Sequence, residues 1–284
     1  MGNQLKTAIL LGALTCMIIW IGQMLGGTSG MIYAFIFALI MNLVNYWFSD
    51  KIVLKMYGAR EISEAQAPEL YGIVQKLASG AGIPMPRVFI IDSDSPNAFA
   101  TGRNPRHAVI AVTSGILKLL NREEIEGVLA HELSHIRNRD ILVGTVAAIM
   151  AGTIMILARM AQWAAMFGGM SRDERNNGGG AIGIIALAIL APLAAIIIQL
   201  AISRSREYLA DATAAQVVGS PFGLANALKK ISLAIKRVPF AANPSTAHMF
   251  IVNPLSGHSL LALFSTHPPV EERIKRLMGK HMAL

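Results

Sequence analysis

Four long apolar segments divide the chain, and shorter amphipathic stretches lie between them. The segments are Ala8–Leu25, Met31–Phe48, Ile141–Phe167 and Ala181–Ile202. A helix of about 20 apolar residues crosses the hydrocarbon core of a bilayer. The last two segments reach this length, whereas the second carries Asn42 and Asn45 in its final turns. Buried core helices would explain one such segment but explain four poorly, so the pattern predicts two transmembrane helical hairpins.

The first apolar segment has the position of a signal peptide, with Lys6 ahead of it and a glycine-rich stretch, residues 26–30, behind it. A second apolar segment follows within a few residues, which a cleaved signal would not require. We therefore expect a retained anchor that forms a tight hairpin with the second segment.

The stretches between the apolar segments predict a small folded domain. Residues 67–81 have the apolar period of a helix, with Pro68 at its start. Arg87–Ile91, Asn97–Gly102 and His107–Val112 are predicted strands, the last two joined by the polar turn 103–106. Another helix is expected from Asn121, continuing into the third apolar segment, and the stretch Pro268–Leu277 is expected to begin a terminal helix, with proline and glutamate in its first turn. The sheet could hold an extended peptide along its edge or could only pack the helices.

This order predicts a mainly α, integral membrane fold with a small β-sheet. The first hairpin occupies residues 1–48 and the second hairpin residues 141–202. The folded domain is split between residues 49–140 and 203–284.

Composition and charge agree with a membrane protein. The chain is 54% hydrophobic and 15% charged, with a mean hydropathy of +0.50, whereas soluble domains carry about 25% charged residues. The net charge of +8 comes with only 6% aromatic residues, which argues against nucleic-acid binding. Lysines and arginines instead flank the apolar segments, so by the positive-inside rule the termini and the folded domain face the cytosol. Cys16 is the single cysteine, and no disulfide framework is expected.

The predicted helix after Asn121 contains the pattern His-Glu-x-x-His, formed by His131, Glu132 and His135. Residues four apart share a helical face, so both imidazoles can reach one cation, while Glu132 is placed to hold a water beside it. This is the signature of zinc peptidases, in which the glutamate is the general base. Asn121 and Glu124 have the spacing of a capping box, which favours the helix. The alternative is a surface helix with two solvated histidines.

A catalytic zinc usually has three protein ligands and one open position. Asp140 follows His135 by five residues, on a different helical face, and the acids of the loop 168–180 are predicted to lie across the membrane. Glu207 and Asp211 are four apart and follow the last apolar segment directly. Glu207 can therefore bind the metal while Asp211 orients a histidine. A solvated pair of acids is the alternative.

With these motifs in place, the chain resembles the M48 family of membrane zinc peptidases. Within it the resemblance is to the bacterial HtpX heat-shock proteases more than to the larger CAAX-processing relatives. The match covers nearly the whole chain. It includes the stretch 97–100 (Asn-Ala-Phe-Ala) and the stretch 265–269 (Ser-Thr-His-Pro-Pro), which is followed by Glu272 and Arg273.

The resemblance implies a zincin-type, gluzincin-like domain that binds one Zn²⁺ per chain. The implied roles are zinc binding by His131, His135 and Glu207, catalysis by Glu132 and His267, support of the ligands by Asp211 and Arg273, and substrate binding by an edge strand containing Asn97, Ala98 and Phe99. In particular, His267 is expected to stabilise the oxyanion.

The implied function is proteolytic quality control and stress response at the cytosolic face of the bacterial inner membrane. Its partners would be the lipid bilayer and unfolded or membrane protein substrates. One alternative is a CAAX-type processing peptidase. The other is a membrane assembly factor with a structural zinc, although such a site needs four protein ligands and only His267 is a plausible fourth. The long connection Lys236–Leu260 could be a flap over the site or a disordered connector.

Overall fold

The computed structural model describes residues 3–147, 149, 204–237, 249–252 and 268–281. Its helices are α1 Asn3–Met56, α2 Pro68–Ala81, α3 Ser114–Leu119, α4 Arg122–Arg137, α5 Arg204–Val218, α6 Phe222–Arg237 and α7 Val270–His281. Its strands are β1 Arg60–Glu61, β2 Arg87–Ile91, β3 Ala98–Gly102 and β4 Ala108–Thr113. The second apolar hairpin, apart from its first turns, lies outside the described residues, as does His267.

Helix α1 is not straight. Gly27 has a φ of 58°, and Asn42 Nδ2 donates a hydrogen bond of 2.7 Å to Thr15 Oγ1. A straight helix would hold residues 27 positions apart about 40 Å from one another. The halves before and after Gly27 therefore lie side by side, and the chain reverses within the glycine-rich stretch where the sequence predicts a tight turn.

The stretch Gly27–Val44 of α1 is long and apolar enough to cross a membrane. Its mean hydropathy is 1.7 and only 6% of it is buried inside the protein. A shorter apolar stretch, Leu11–Trp20, lies in the other half of the helix. Among the described residues, Gly27–Val44 is the one stretch that satisfies this test of length and composition.

The sheet has the strand order β1-β2-β4-β3, so β3 is an edge strand. β2 and β4 are parallel, and β3 pairs antiparallel with β4 through the register Ala100 to Ile110. β2 has the predicted bounds, and β3 and β4 each begin one residue later than predicted. The two-residue β1 and the six-residue α3 are additional, and both are too short to show a period in the sequence.

Both faces of the sheet are covered, because alternate residues of β4 enter different cores. Ile110 and Val112 face a core built with α2, α4 and α6. Val109 and Ala111 face a second core, which the last turns of α1 complete with Val53 and Leu54. The folded domain is thus held directly against the end of α1.

Helix α4 begins as predicted and ends earlier than predicted. Asn121 Oδ1 accepts from the Glu124 N–H at 3.0 Å, and the Glu124 carboxylate accepts from the Asn121 N–H, also at 3.0 Å, which completes the capping box. The expected continuous helix into the third apolar segment is wrong. Arg139 adopts a left-handed φ of 57°, and a separate helical stretch starts at residue 141. The break turns Asp140 back towards α4, where its N–H donates to the His135 carbonyl at 2.9 Å.

Helices α4 and α6 approach so closely that both need glycine at the contact. A Cβ at Gly127 would lie 2.5 Å from the Leu224 nitrogen, and one at Gly223 would lie 2.3 Å from the Glu123 carbonyl oxygen. Such distances are incompatible with any side chain unless the backbones move apart. Gly127 lies one turn before His131, so this contact fixes the part of α4 that carries the candidate metal ligands.

Candidate active site

His131 and His135 lie on one face of α4, as their spacing predicts. Their Nε2 atoms are 3.2 Å apart and their rings are perpendicular, at an angle of 89°. His131 is 1% exposed. Two ring nitrogens this close repel each other unless a proton or a cation lies between them, so the pair is arranged to share a positive charge.

Glu207, from the first turn of α5, approaches the same point. Its Oε2 lies 3.7 Å from His131 Nε2, and its Oε1 lies 3.5 Å from His135 Nε2. Ligand atoms about 2.0–2.1 Å from a tetrahedral zinc are separated by roughly 3.3 Å. The three donor atoms therefore have nearly the spacing that a bound zinc ion requires, and the donor set of two imidazoles and one carboxylate fits that ion.

Asp211 orients His131, one helical turn after Glu207. Its Oδ1 is 2.9 Å from His131 Nδ1. Burial lowers the pKa of His131 to about 4, in spite of this carboxylate. The ring is therefore neutral at physiological pH, with its proton on Nδ1 and a lone pair on Nε2, which is the form that binds a metal.

Arg273, from α7, holds Asp211 in turn. It donates to both carboxylate oxygens, from Nε at 2.9 Å and from Nη2 at 2.6 Å, and its Nη1 donates to the Ile251 carbonyl at 2.8 Å. Burial by itself would raise the pKa of Asp211, but the charge and hydrogen bonds of Arg273 outweigh it and lower that pKa to about 2. The structure thus brings both predicted supporting residues behind His131.

Asp140 supports His135 in a similar way, and the sequence does not predict this. Its Oδ2 lies 3.5 Å from His135 Nδ1, and its Oδ1 lies 3.5 Å from Arg206 Nη1. Burial by itself would lower the pKa of His135, but the charge of Glu207 and the hydrogen bond with Asp140 outweigh it and raise that pKa to about 9. The left-handed Arg139 makes this contact possible, and neither a glycine nor a proline marks the break in the sequence.

Glu132 lines the same cleft as the three donors and is held by the edge strand. Its Oε2 accepts a hydrogen bond of 2.9 Å from the Ala100 N–H of β3. Burial raises the pKa of Glu132 to about 7, against the opposing charge of His135. A carboxylate whose pKa lies near neutral pH is well suited to accept a proton and pass it on.

The described residues of the site carry more negative than positive charge. The carboxylates are those of Glu132, Asp140, Glu207 and Asp211, and the guanidinium groups are those of Arg206 and Arg273. Metal binding requires both histidines to be neutral, and in that state, with all four carboxylates ionised, these groups leave two negative charges, which one divalent cation would neutralise in place of the proton that the raised pKa of His135 retains. The local electrostatics therefore agree with the donor geometry.

The predicted substrate strand borders this site. Asn97, 1% exposed, precedes β3, and its Oδ1 accepts from the Ala98 N–H at 2.8 Å. Ala100 lines the cleft beside Glu132. The Phe99 ring points to the opposite face of the sheet and packs on Phe250, so its side chain belongs to the second core.

A short described part of the long connection after α6 forms one wall of the cleft. Met249, Phe250 and Ile251 line it opposite α4. Phe250 is 1% exposed and packs edge-to-face on Tyr57, at a centroid distance of 5.4 Å. Met249 and Phe250 pack in the second core and Ile251 packs in the first, so residues 249–252 are held against the folded domain. No period or motif in the sequence indicates this role.

Comparison with known proteins agrees with the geometry. The sequence profile described as Peptidase family M48 matches residues 64–281. The chain belongs to peptidase family M48. It is therefore a metalloprotease, and the resemblance recognised in its motifs is confirmed. The profile begins after α1, so the family match covers the folded domain and the connection between its two parts.

Several M48 relatives match almost the full chain. A "Protease HtpX homolog" of Desulfatibacillum aliphaticivorans is 60% identical over 279 residues, which cover 98% of this chain and 90% of the relative. The protein of the same name from Syntrophobacter fumaroxidans is also 60% identical, over 98% of this chain and 99% of its own. The protein of the same name from Thermococcus sibiricus is 55% identical, over 98% of this chain and 96% of its own.

The M48 fold is also visible in a solved structure, the crystal structure of S. mikatae Ste24p. It superimposes with a TM-score of 0.52 at 20% sequence identity. The superposition covers 97% of this chain and 64% of the Ste24p chain. The mostly helical architecture with a small sheet is thus shared with a larger protein.

Proposed function

We propose that this chain is a zinc-dependent membrane endopeptidase that cleaves misfolded or damaged membrane proteins at the cytosolic face of the bacterial inner membrane. The observation that carries the proposal is the convergence of His131, His135 and Glu207 on one point, with Glu132 beside them in a cleft. A structural zinc site closes four positions with protein ligands. Three described donors at the wall of a cleft favour a catalytic site instead.

Zinc is the metal that best fits these donors. Two imidazole nitrogens and one carboxylate form a ligand set found in zinc peptidases, whereas magnesium and calcium prefer oxygen ligands. A bound zinc ion supplies Lewis acidity, which polarises a carbonyl oxygen and makes water more acidic. Asp211 and Asp140 lie beside Nδ1 of His131 and His135, so in the neutral rings the proton would stay on Nδ1 and both Nε2 atoms would be available to hold a zinc ion.

Glu132 performs the proton transfers of peptide hydrolysis. Its carboxylate takes a proton from the attacking water and delivers it to the nitrogen of the departing amine. The Ala100 N–H holds one carboxylate oxygen at 2.9 Å, which leaves the other oxygen available for the proton. The outer edge of β3 provides backbone groups beside Glu132, and these support binding of an extended substrate at Asn97, Ala98 and Phe99 through the main chain. Stabilisation of the oxyanion by His267 remains part of the proposal.

The surface of α1 supports placement in a membrane. Large apolar side chains along Gly27–Val44 are about half exposed, among them Phe35, Ile36 and Leu39. A water-soluble protein rarely presents an apolar surface of this extent, whereas a bilayer covers it. The folded domain would then lie next to the cytosolic leaflet, because Lys51 and Lys55 follow the apolar stretch.

An activity assay tests the proposal most directly. The full-length protein, purified in detergent and loaded with zinc, should cleave an unfolded protein and a destabilised membrane protein, and should lose this activity on treatment with a chelator. Restoration by zinc should follow. Cleavage that survives complete removal of the metal would overturn the zinc mechanism, and absence of cleavage with zinc bound would favour a non-proteolytic role.

Cysteine labelling tests the cytosolic placement. In a Cys16→Ala background, single cysteines at Ser93 and Ser220 should resist a membrane-impermeant thiol reagent in intact cells, and a cysteine at Asn177 should react. Labelling of the cysteines at both Ser93 and Ser220 from outside would show that the folded domain faces the outside of the cell. Labelling of only one would contradict the shared site, because one ion cannot be bound across about 30 Å of hydrocarbon.

A further inference from the structure

The end of α1 carries aromatic and cationic side chains immediately after its apolar stretch. Tyr46, Trp47 and Phe48 follow Gly27–Val44 directly and are 38%, 51% and 47% exposed. Lys51 follows Trp47 by four residues, and Lys55 follows Lys51 by four, so the three share one helical face. Both lysines are exposed.

The turn between β3 and β4 joins this part of α1. The Arg103 guanidinium lies over the Trp47 ring, 4.5 Å from its centroid. On the same helix, Lys51 Nζ lies 5.3 Å from the Phe48 centroid. These two cation–ring pairs are adjacent along α1 because Trp47 and Phe48 are consecutive, and we name the four residues the interface band.

No carboxylate of the described residues neutralises the positive charge of the interface band. Among the described residues, neither Lys51 nor Arg103 has a carboxylate within 4 Å, and the same is true of the neighbouring Lys55. Asp50, the acid nearest in sequence, pairs instead with Arg87 at 3.1 Å. The band therefore presents two cations on two exposed aromatic rings, Arg103 on Trp47 and Lys51 on Phe48, beside an apolar helix surface.

We propose that the interface band binds the phosphate group of an anionic phospholipid, whose acyl chains lie along the apolar surface of α1 that precedes Trp47. This inference rests on the proposed membrane placement. Tryptophan favours the headgroup depth of a bilayer, and basic side chains at that depth attract anionic lipids. Arg103 and Lys51 supply hydrogen-bond donors for a phosphate, while Val44 and Phe48 adjoin the hydrocarbon.

The bound lipid would set the depth of the active site. Arg103 follows Ala100 by three residues, which is about 10 Å of extended chain. Ala100 holds the catalytic Glu132. A lipid bound at the interface band therefore lies at one end of the strand that borders the site, and fixes that strand relative to the membrane surface.

Quenching of Trp47 fluorescence by brominated lipids tests the proposal. The chain has three tryptophans, so Trp20→Phe with Trp163→Phe leaves Trp47 alone, and retained protease activity verifies the fold. The full-length protein is reconstituted in phosphatidylcholine–phosphatidylglycerol vesicles in which one lipid is brominated at a low mole fraction. Quenching by brominated phosphatidylglycerol should exceed that by brominated phosphatidylcholine by at least about fivefold, because each of the two basic residues contributes about that enrichment near an anionic surface.

Charge-neutralising variants provide the matched comparison. Lys51→Gln with Arg103→Gln should equalise the two quenching efficiencies. Lys229→Gln with Lys275→Gln removes the same charge from helices packed on the other face of the sheet, and should leave the difference intact. Soluble glycerol 1-phosphate should also leave the difference in quenching intact. If glycerol 1-phosphate abolished that difference, the site would bind a free phosphate ester, and the lipid assignment would be overturned.

The remaining outcomes separate this inference from the proposed function. Equal quenching of the parent by both lipids would overturn the anionic lipid site while leaving the membrane placement standing. Absence of quenching by either lipid would overturn both, because Trp47 would then lie outside the bilayer. Persistence of the difference in the Lys51→Gln and Arg103→Gln variant would show that other groups select the lipid.

Discussion

Helix α4 and the stretch Gly27–Val44 of α1 place polar and apolar residues in opposite ways. In α4 the side chains of Glu124, His131 and Glu132 are at most 3% exposed. In α1 the stretch Gly27–Val44 is 6% buried, although its residues are far more apolar. The polar helix lies inside the protein and the apolar helix lies on its surface.

The difference teaches that burial must be judged against what surrounds each helix. The buried carboxylates of α4 are tolerated because each has a hydrogen-bond partner. Lys230 Nζ donates to Glu124 at 2.8 Å, and the Ala100 N–H donates to Glu132. Within the described part of the chain no comparable protein surface covers this side of α1, and under the proposed membrane placement lipid would cover it. The following predictions test the two halves of this comparison.

The largest effect is expected at the buried base. Glu132→Gln should reduce the turnover rate about 10²–10⁴-fold, because general-base catalysis is lost, while zinc remains near one per chain. The rate on an unfolded protein and the metal content by atomic emission measure the two quantities. Glu123→Gln, an exposed position on the same helix, should change neither. Normal turnover by Glu132→Gln would refute the assignment.

Loss of the third donor should remove metal and activity together. Glu207→Ala leaves two imidazoles facing an incomplete site, so zinc should dissociate during dialysis and activity should fall with it. Glu271→Ala, an exposed acid at the start of α7, is the control and should retain both. Zinc binding by Glu207→Ala with the parental affinity would contradict the ligand assignment.

A smaller effect is expected one contact further from the metal. Asp211→Asn should weaken zinc binding by about 10–100-fold, because His131 loses its orienting carboxylate. It also removes the nearest counter-charge of the buried Arg273 and leaves Glu207 Oε2, 4.0 Å from Nη1, as its next carboxylate, so the free energy of unfolding should fall by up to about 3–5 kcal/mol. Denaturant unfolding and zinc titration measure the two effects. A loss of stability with unchanged zinc affinity would assign Asp211 a purely structural role.

The membrane placement of α1 can be tested with two apolar residues of similar exposure. Ile36 in α1 is 48% exposed and Leu233 in α6 is 54% exposed. Ile36→Lys should cost about 3–4 kcal/mol of insertion free energy if the stretch lies at the centre of a bilayer. Leu233→Lys should be nearly neutral. The fraction of each variant recovered in membranes distinguishes them, and equal recovery would place the α1 surface in water.

The smallest effect is expected for the polar pair between the two halves of α1. A double-mutant cycle of Thr15→Val and Asn42→Leu should give a coupling energy of about 0.6 kcal/mol, the average for hydrogen bonds between membrane helices. Unfolding in mixed micelles measures it. The corresponding cycle with Leu43→Ala in place of Asn42→Leu should give no coupling. Zero coupling between Thr15 and Asn42 would contradict the fold-back at Gly27.

Much of the domain could be predicted, because local signals agree with the tertiary contacts. The bounds of β2 follow from its apolar run, and the start of α4 follows from the capping box of Asn121 and Glu124. The placement of His131, Glu207 and Asp211 around one point follows from helical spacing together with zinc chemistry. Each of these signals depends on residues close in sequence.

The missed features depend on conformations or partners that leave no such signal. Arg139 adopts a left-handed conformation without being glycine or asparagine, so the end of α4 and the position of Asp140 were unpredictable. Phe250 belongs to the cleft wall because Phe99 and Tyr57 offer it a surface, yet it lies in a connection without a period. Both features are set by tertiary contacts that a sequence pattern cannot show.

The glycine contact between α4 and α6 makes the metal site sensitive to a position that touches no ligand. A single methyl group added at Gly127 would force α4 and α6 apart, one helical turn from His131. Any such displacement would rotate both imidazoles relative to Glu207, which belongs to another helix. The spacing of the three donor atoms therefore depends on position 127 having no side chain. We expect Gly127→Ala to change which metal ion the site prefers, although every donor atom is still present.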